Sequence, residues 1–291
     1  MKLNVLTNYL AVFILGCLIP FNSCKQGSSA TTGTQTFTDT TAEASHAERP
    51  VHWTYTEEGG AANWGTLSPA YALCNEGKQQ SPVDIVQSTV KGSGTWSLNY
   101  KSTTLNIAHT EHMEEIVDNG HTIQVTVDEG SSLTYAGKSY HLKQFHFHTP
   151  SEHTIDGQHL PMEMHMVHQS DDGALAVVGV LFKEGKEPNP NLVMIINNLP
   201  FSKGESKHIT DQHLELNLQM PKDNFAYHYM GSLTTPPCSE NVQWLVLREM
   251  ISVSKDQVEA FAKRIGPNNR PTQPLNGRVV EADDIRGKVT Q

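Results

Sequence analysis

The sequence predicts a mainly β domain with a few short peripheral helices, preceded by an N-terminal stretch that is not part of the fold. Three observations carry this prediction. Alternation of apolar and polar residues with period 2 dominates the chain after position 51. Helix-period segments are few and short. The composition, 37 % hydrophobic and 18 % charged over 291 residues, is that of an ordinary chain able to bury one sizeable core. These figures exclude collagen, coiled coils, disulfide-dense miniproteins and polytopic membrane proteins. The charge balance is 21 Lys plus Arg against 31 Asp plus Glu, a net −10, which argues against a nucleic-acid partner. Two departures remain: 15 histidines, many for so few cations, and only 4 cysteines.

At the N-terminus Lys2 is followed by an apolar run from Tyr9 to Phe21, interrupted only by Gly16 and Cys17 and closed by Pro20. That run is too short to cross a bilayer but suits the apolar region of a secretory signal. Residues 1–23 are therefore expected to be a signal peptide and the chain to be exported to the periplasm or cell envelope. Cys24, at the end of the run, is placed as in a bacterial lipoprotein cleavage site, better than Cys17. A lipid anchor at Cys24 and a plain signal peptide both stand as readings. Residues 24–50, rich in Ser, Thr and Ala, cannot offset their ordering entropy and read as a flexible tether. One domain, with no internal repeat, is expected from 51 to 291.

Within it, Thr122 to Val127, Leu142 to His148, Met162 to His168, Leu175 to Phe182 and Val242 to Val246 read as strands separated by Gly, Asp or Pro turns. Helices are expected at Asn191 to Asn197 and at Lys255 to Ile265, the latter capped by Ser254.

The chemistry begins at Gln144-Phe145-His146-Phe147-His148. Alternate strand residues share a face, so His146 and His148 project together while Phe145 and Phe147 turn to the core. Such a pair is a weak signal alone. Glu163-Met164-His165 adds a third imidazole if its strand lies beside the first. Three neutral nitrogens without a thiolate describe a catalytic Zn2+ site with an open fourth position. Gln144 and Glu163 each precede a His by two residues on the same face, where they can accept its second ring N–H.

With these residues in place the chain resembles an α-class carbonic anhydrase of the bacterial, exported kind. The likeness runs from about His52 to Arg278. It rests on His52-Trp53-Thr54-Tyr55, Gln80-Ser81-Pro82-Val83-Asp84-Ile85, Asn119-Gly120-His121, Gln144 to His148, Ser151-Glu152-His153-Thr154, Glu163-x-His165, Gly231 to Pro237 and Arg270 to Leu275. It implies a single domain on a large, mostly antiparallel, twisted central sheet. It also implies Zn2+ on His146, His148 and His165, and reversible hydration of CO2 to bicarbonate by a zinc-held hydroxide.

The resemblance assigns further roles residue by residue. Thr234 is the gatekeeper, accepting a hydrogen bond from the hydroxide and donating its own to Glu152, since a carboxylate can only accept. Val167, Val177, Leu233, Val242 and Trp244 line an apolar pocket for CO2. Asn268 supplies a backbone carbonyl to His148. His121 shuttles protons, with Tyr55, Asn119 and Gln124 ordering water. His153, His159 and His168 are read as structural or surface residues.

Cys74 and Cys238 remain, and in an exported protein two such cysteines favour a bridge. Bacterial members of the resembled family have one at these positions. A loop of this length is worth roughly 5 kcal/mol by chain entropy, of which real bridges deliver about 2–4. Because Cys238 follows Thr234-Thr235-Pro236-Pro237, the bridge would clamp the loop carrying Thr234. Two other classes compete with the enzyme. A catalytically inactive carbonic-anhydrase-like binding module typically lacks a zinc His, and none is lacking. A zinc buffer needs His-rich flexible tracts, which are absent from these strands. The expected partner is the small substrate CO2 or bicarbonate, with a homodimer as a further expectation.

Overall fold

The computed structural model describes residues 51–86, 91–110, 122–200, 202–220 and 225–284. The strands in it are β1 (Asp84–Ile85), β2 (Trp96–Asn99), β3 (Ser102–Thr110), β4 (Thr122–Thr126), β5 (Ser132–Tyr135), β6 (Lys138–His148), β7 (Thr154–Ile155) and β8 (Gln158–His159). They continue as β9 (Met162–Gln169), β10 (Leu175–Gly185), β11 (Ser206–Glu215), β12 (Phe225–Ser232), β13 (Glu240–Leu247), β14 (Ile251–Ser254) and β15 (Glu281–Asp284). Four short helices accompany them: α1 (Trp64–Leu67), α2 (Leu73–Glu76), α3 (Pro190–Asn197) and α4 (Lys255–Ile265).

Twelve strands join in one sheet whose main path runs β11-β3-β4-β6-β9-β10-β13-β12-β15, with β2, β5 and β14 attached beside it. Neighbours pair antiparallel except at β10, which runs parallel to β13 and then to β14. The mainly β architecture with peripheral helices is the one expected. A small sheet of β1, β7 and β8 stands apart.

Alternation sorts the central strands cleanly. Phe145 and Phe147 of β6, Met162, Met164 and Met166 of β9, and Val178, Val180 and Phe182 of β10 belong to one core, beneath α3 and α4. Phe261 of α4 packs on Phe147 with ring centroids 4.7 Å apart. Burying one such aromatic is worth about 1.5–3 kcal/mol. The helix itself starts in a capping box, Ser254 accepting from the Gln257 N–H and the Gln257 side chain accepting from the Ser254 N–H. The opposite faces of the same strands carry Val167, Val177 and Leu181 into a second apolar cluster with Leu233, Val242 and Trp244. The histidines read as ligand candidates lie on that second face.

His168 is buried on the first side, its Nε2 3.1 Å from the Tyr100 hydroxyl. Burial drives its pKa down from 6.5 to about 3; the carbonyls of Met166 and Ala176 lie against the ring without closing a hydrogen bond to Nδ1. The folded-state pKa lies below the unfolded one, so the unfolded chain takes up the proton first. His168 therefore supports the fold above pH 6.5 and withdraws that support as pH falls from 6.5 toward 3. At pH 5 the loss is about 2 kcal/mol. Unfolding titrations of the wild type and a His168→Gln variant at pH 7 and pH 5 should show a shallower acid loss in the variant. Equal losses would show that this imidazole does not carry the effect.

Candidate functional site

The pairing of β6 with β9 sets His146 directly opposite His165 and His148 opposite Glu163. Directly opposed residues in an antiparallel pair bring their Cβ atoms about 4.5–5.5 Å apart. His148 leans in from two residues along, so the three rings lie with centroids 4.4 to 5.4 Å apart. All three are buried.

Each imidazole has one nitrogen tied to an acceptor. His146 Nδ1–H donates to Gln144 Oε1 at 2.9 Å, His148 Nδ1–H to the Asn268 carbonyl at 2.7 Å, and His165 Nε2–H to Glu163 Oε1 at 2.9 Å. The tautomers follow. His146 Nε2, His148 Nε2 and His165 Nδ1 are left with bare lone pairs, and one ligand atom from each ring lies within 4.8 Å of the others. His148 Nε2 is fully buried with no hydrogen-bond partner. Burial, and then their imidazole neighbours, hold His146 well below the usual range; burial likewise lowers His148. His165 is pulled down by burial, but the Glu163 and Glu152 carboxylates outweigh it and raise its pKa. The same negative field favours any cation at Nδ1.

Glu163 uses all its acceptor capacity. Oε1 takes His153 Nδ1–H at 2.7 Å and His165 Nε2–H; Oε2 takes the backbone N–H groups of Glu152 and His153 at 2.9 and 2.8 Å. Burial alone would raise its pKa, yet His153, His165 and these hydrogen bonds hold it well below the carboxylate range. Gly179 sits across the sheet from His165, where a Cβ would come within 3.1 Å of Glu163 Oε1. His153 continues the network to the Tyr229 hydroxyl at 2.7 Å and on to Ser81 Oγ at 2.9 Å. Asn268 is fixed in turn, its side chain accepting from Thr149 N–H and donating to the Phe147 carbonyl.

Glu152 is wholly buried beside the triad. Its Oε1 accepts the Arg270 backbone N–H at 2.8 Å, and its Oε2 has no hydrogen-bond partner. The Thr234–Glu152 bond implied by the resemblance is therefore not closed in this structure. Oε2 lies instead 3.9 Å from His165 Nδ1, and Oε1 3.6 Å from His148 Nδ1, so the carboxylate faces the imidazoles. Thr234 nonetheless lines the same small cleft as His146, His165, Val167, Val177, Leu233 and Trp244. Val242 is buried in the same apolar cluster as Val167, Val177, Leu233 and Trp244.

Gln124 is buried on β4 directly opposite His146. Tyr55 packs edge-on against Trp53 and Trp64. His121 and Asn119 lie outside the described residues, as do Cys24 and the rest of the N-terminal stretch.

Cys74 and Cys238 are bonded, with Cα atoms 5.0 Å apart. What sequence reasoning missed is how this bridge is wired to the site. The Arg270 guanidinium, buried and with its pKa lowered to about 10 by that burial, donates to the carbonyls of Cys74 and Ser81 and to Gln80 Oε1. Gln80 Nε2 donates to the Cys238 carbonyl at 3.0 Å. Arg270 thus joins the bridge to Glu152. Reducing the bridge is expected to lower the unfolding temperature by on the order of 10 °C while bound metal is retained. Thermal melts with and without reductant check this; two titratable thiols in the unreduced fold would contradict it.

A family model for eukaryotic-type carbonic anhydrase matches residues 59–284. A carbonic anhydrase of Pectobacterium atrosepticum is 40 % identical over 235 residues, covering 80 % of this chain and 92 % of that protein. One of Neisseria gonorrhoeae is 42 % identical over 232 residues, covering 79 % and 87 %. Among solved structures, the α-carbonic anhydrase of Thermovibrio ammonificans bound to the inhibitor sulfanilamide superposes with a TM-score of 0.73. It is 40 % identical, and the match covers 81 % of this chain and all of that one. The matched span takes in β6, β9, Glu152, Thr234 and Arg270 together, and on that extent of likeness the chain belongs to the eukaryotic-type carbonic anhydrase family.

Proposed function

We propose that this chain is a zinc-dependent carbonic anhydrase that interconverts CO2 and bicarbonate at His146, His148 and His165. The observation that carries the reading is the set of three fixed tautomers, which aims three bare nitrogens at one point. The donor set fits Zn2+: all-imidazole, buried, with an orphaned Nε2 on His148 and an orphaned carboxylate oxygen on Glu152 close by. When bound, zinc lowers the pKa of a coordinated water to about 7, a value established on carbonic anhydrases themselves.

The chain's own residues supply the rest. Gln144, Glu163 and the Asn268 carbonyl hold the rings so that no lone pair must reorganise. Glu152 can only accept, so a Thr234 hydroxyl turned to its free Oε2 would donate its O–H there and keep an oxygen lone pair to accept a hydrogen bond from the attacking nucleophile. Val167, Val177, Leu233 and Trp244 offer CO2 an apolar wall without donors that would trap water. CO2 is uncharged, so exclusion of water rather than charge selects it.

Turnover also needs a group that exports a proton near pH 7, and only His titrates there unperturbed. His121 is proposed for this, aided by Tyr55, Asn119 and Gln124. His121→Ala should lower kcat strongly in weak buffer while sparing kcat/KM, and added imidazole should restore much of the loss. A kcat unchanged in weak buffer would assign export to another group.

The disulfide accords with export to the periplasm or envelope. Residues 1–23 are proposed as signal peptide and Cys24 as a lipid attachment point. A stopped-flow CO2 hydration assay tests the activity. It should be fast, abolished by a strong chelator and restored by Zn2+; activity that survives complete metal removal would overturn the proposal.

A further inference from the structure

A second cluster of ligand-type side chains lies at the far end of the main sheet path, where β12 pairs with β15. His228 faces Glu281 directly across the pair, and Asp283 follows two residues on, on the same face. His228 Nε2 lies 2.9 Å from Gln243 Oε1 and donates to it. Nδ1 is buried, makes no hydrogen bond, and sits 3.6 Å from Asp283 Oδ2 and 3.8 Å from Glu281 Oε2. Those gaps are long for an N–H···O bond. They approach the separation of about 3.4 Å between two donors on one tetrahedral ion with 2.1 Å bonds.

The surroundings are built for a cation. The Asp283 side chain is fully buried, and its Oδ2 accepts Trp96 Nε1–H at 2.9 Å, the outer bond that orients a ligating carboxylate. Among the described residues no Lys or Arg is paired with Asp283 or Glu281. A buried carboxylate beside a second one is costly unless a positive charge joins them. The backbone packs close on this carboxylate and tolerates only glycine beside it: a Cβ on Gly92 would lie 1.7 Å from Asp283 Oδ1, and one on Gly94 2.4 Å from Oδ2. The Glu281 side chain is 40 % exposed, which gives an ion a way in.

We propose that His228, Glu281 and Asp283 form a second divalent-metal site, distinct from the three-His cluster, that pins β15 to β12. One imidazole and two carboxylates suit a borderline ion such as Zn2+ over Ca2+. β12 ends at Ser232, two residues before Thr234, so the ion would stiffen the strand that feeds that loop.

Equilibrium dialysis of the purified chain against micromolar Zn2+, followed by metal analysis, tests the site. The wild type should hold two ions, Glu281→Gln and His228→Gln one each, His146→Ala one, and the His146→Ala, His228→Gln double variant none. Glu281→Gln, on the exposed side, should weaken the second ion at least tenfold with an unchanged circular dichroism spectrum. A wild type holding one ion that only His146→Ala removes would make His228 a plain ion-pair partner and overturn the proposal. One ion that only His228→Gln removes would uphold this site and instead refute the three-His centre.

Discussion

Replacing His146, His148 or His165 by alanine is expected to abolish stoichiometric zinc binding at the three-His centre and to reduce CO2 hydration to the background rate. Each ring supplies one of only three protein donors, and its other nitrogen is already committed to Gln144, Asn268 or Glu163. No neighbour can replace it. Gln144→Ala gives a graded contrast: it frees the His146 ring without deleting a donor, and should weaken zinc by about 10–100-fold. Metal analysis with hydration kinetics on the same preparations checks both. Wild-type activity in a zinc-depleted His165→Ala protein would refute the three-His reading.

The second large effect is expected at Glu152 and Thr234. Thr234→Ala and Glu152→Ala should each leave zinc bound yet lower kcat/KM by about 10²-fold, close to 3 kcal/mol of transition-state stabilisation. The double variant should be little worse than either single one, because residues acting as a unit are not additive. Glu152→Gln is the sharper probe. Its amide oxygen could still accept the Arg270 N–H, but its NH2 would donate toward Thr234 and reverse the required polarity. Loss of function in this near-isosteric variant separates polarity from packing. Fully additive losses in the double variant would mean that the two side chains do not work as one chain.

The elements legible in the sequence were those with strong alternation and two-sided burial. β6, β9, β10 and β13 each contain the expected segment, and α4 runs over Lys255–Ile265 as its Ser254 cap and Gln257 partner dictate. β11 escaped notice because it lies at the sheet edge with mostly exposed side chains, and β2, β14 and β15 because each is only four residues long. The parallel run of β10 with β13 and β14 could not be read either, since pairing partners far apart in sequence leave no local signature. In the site, period 2 alone places Gln144, His146, Glu163 and His165 on shared faces. The Asn268 carbonyl, 120 positions from His148, was reached through the family resemblance and not through periodicity, and the Arg270 tie between Glu152 and the Cys74–Cys238 bridge arises only from tertiary packing. His153 read as one histidine among many; only its fully buried bond to Glu163 and Tyr229 distinguishes it.

Anomalous diffraction at the zinc absorption edge tests whether the three fixed tautomers converge on one metal. A strong peak is expected, bonded at about 2.0–2.1 Å to His146 Nε2, His148 Nε2 and His165 Nδ1, with Gln144, Glu163 and the Asn268 carbonyl still on the opposite ring nitrogens. A crystal grown with zinc that shows no peak there, or a peak bonded through His146 Nδ1 or His165 Nε2, would contradict it.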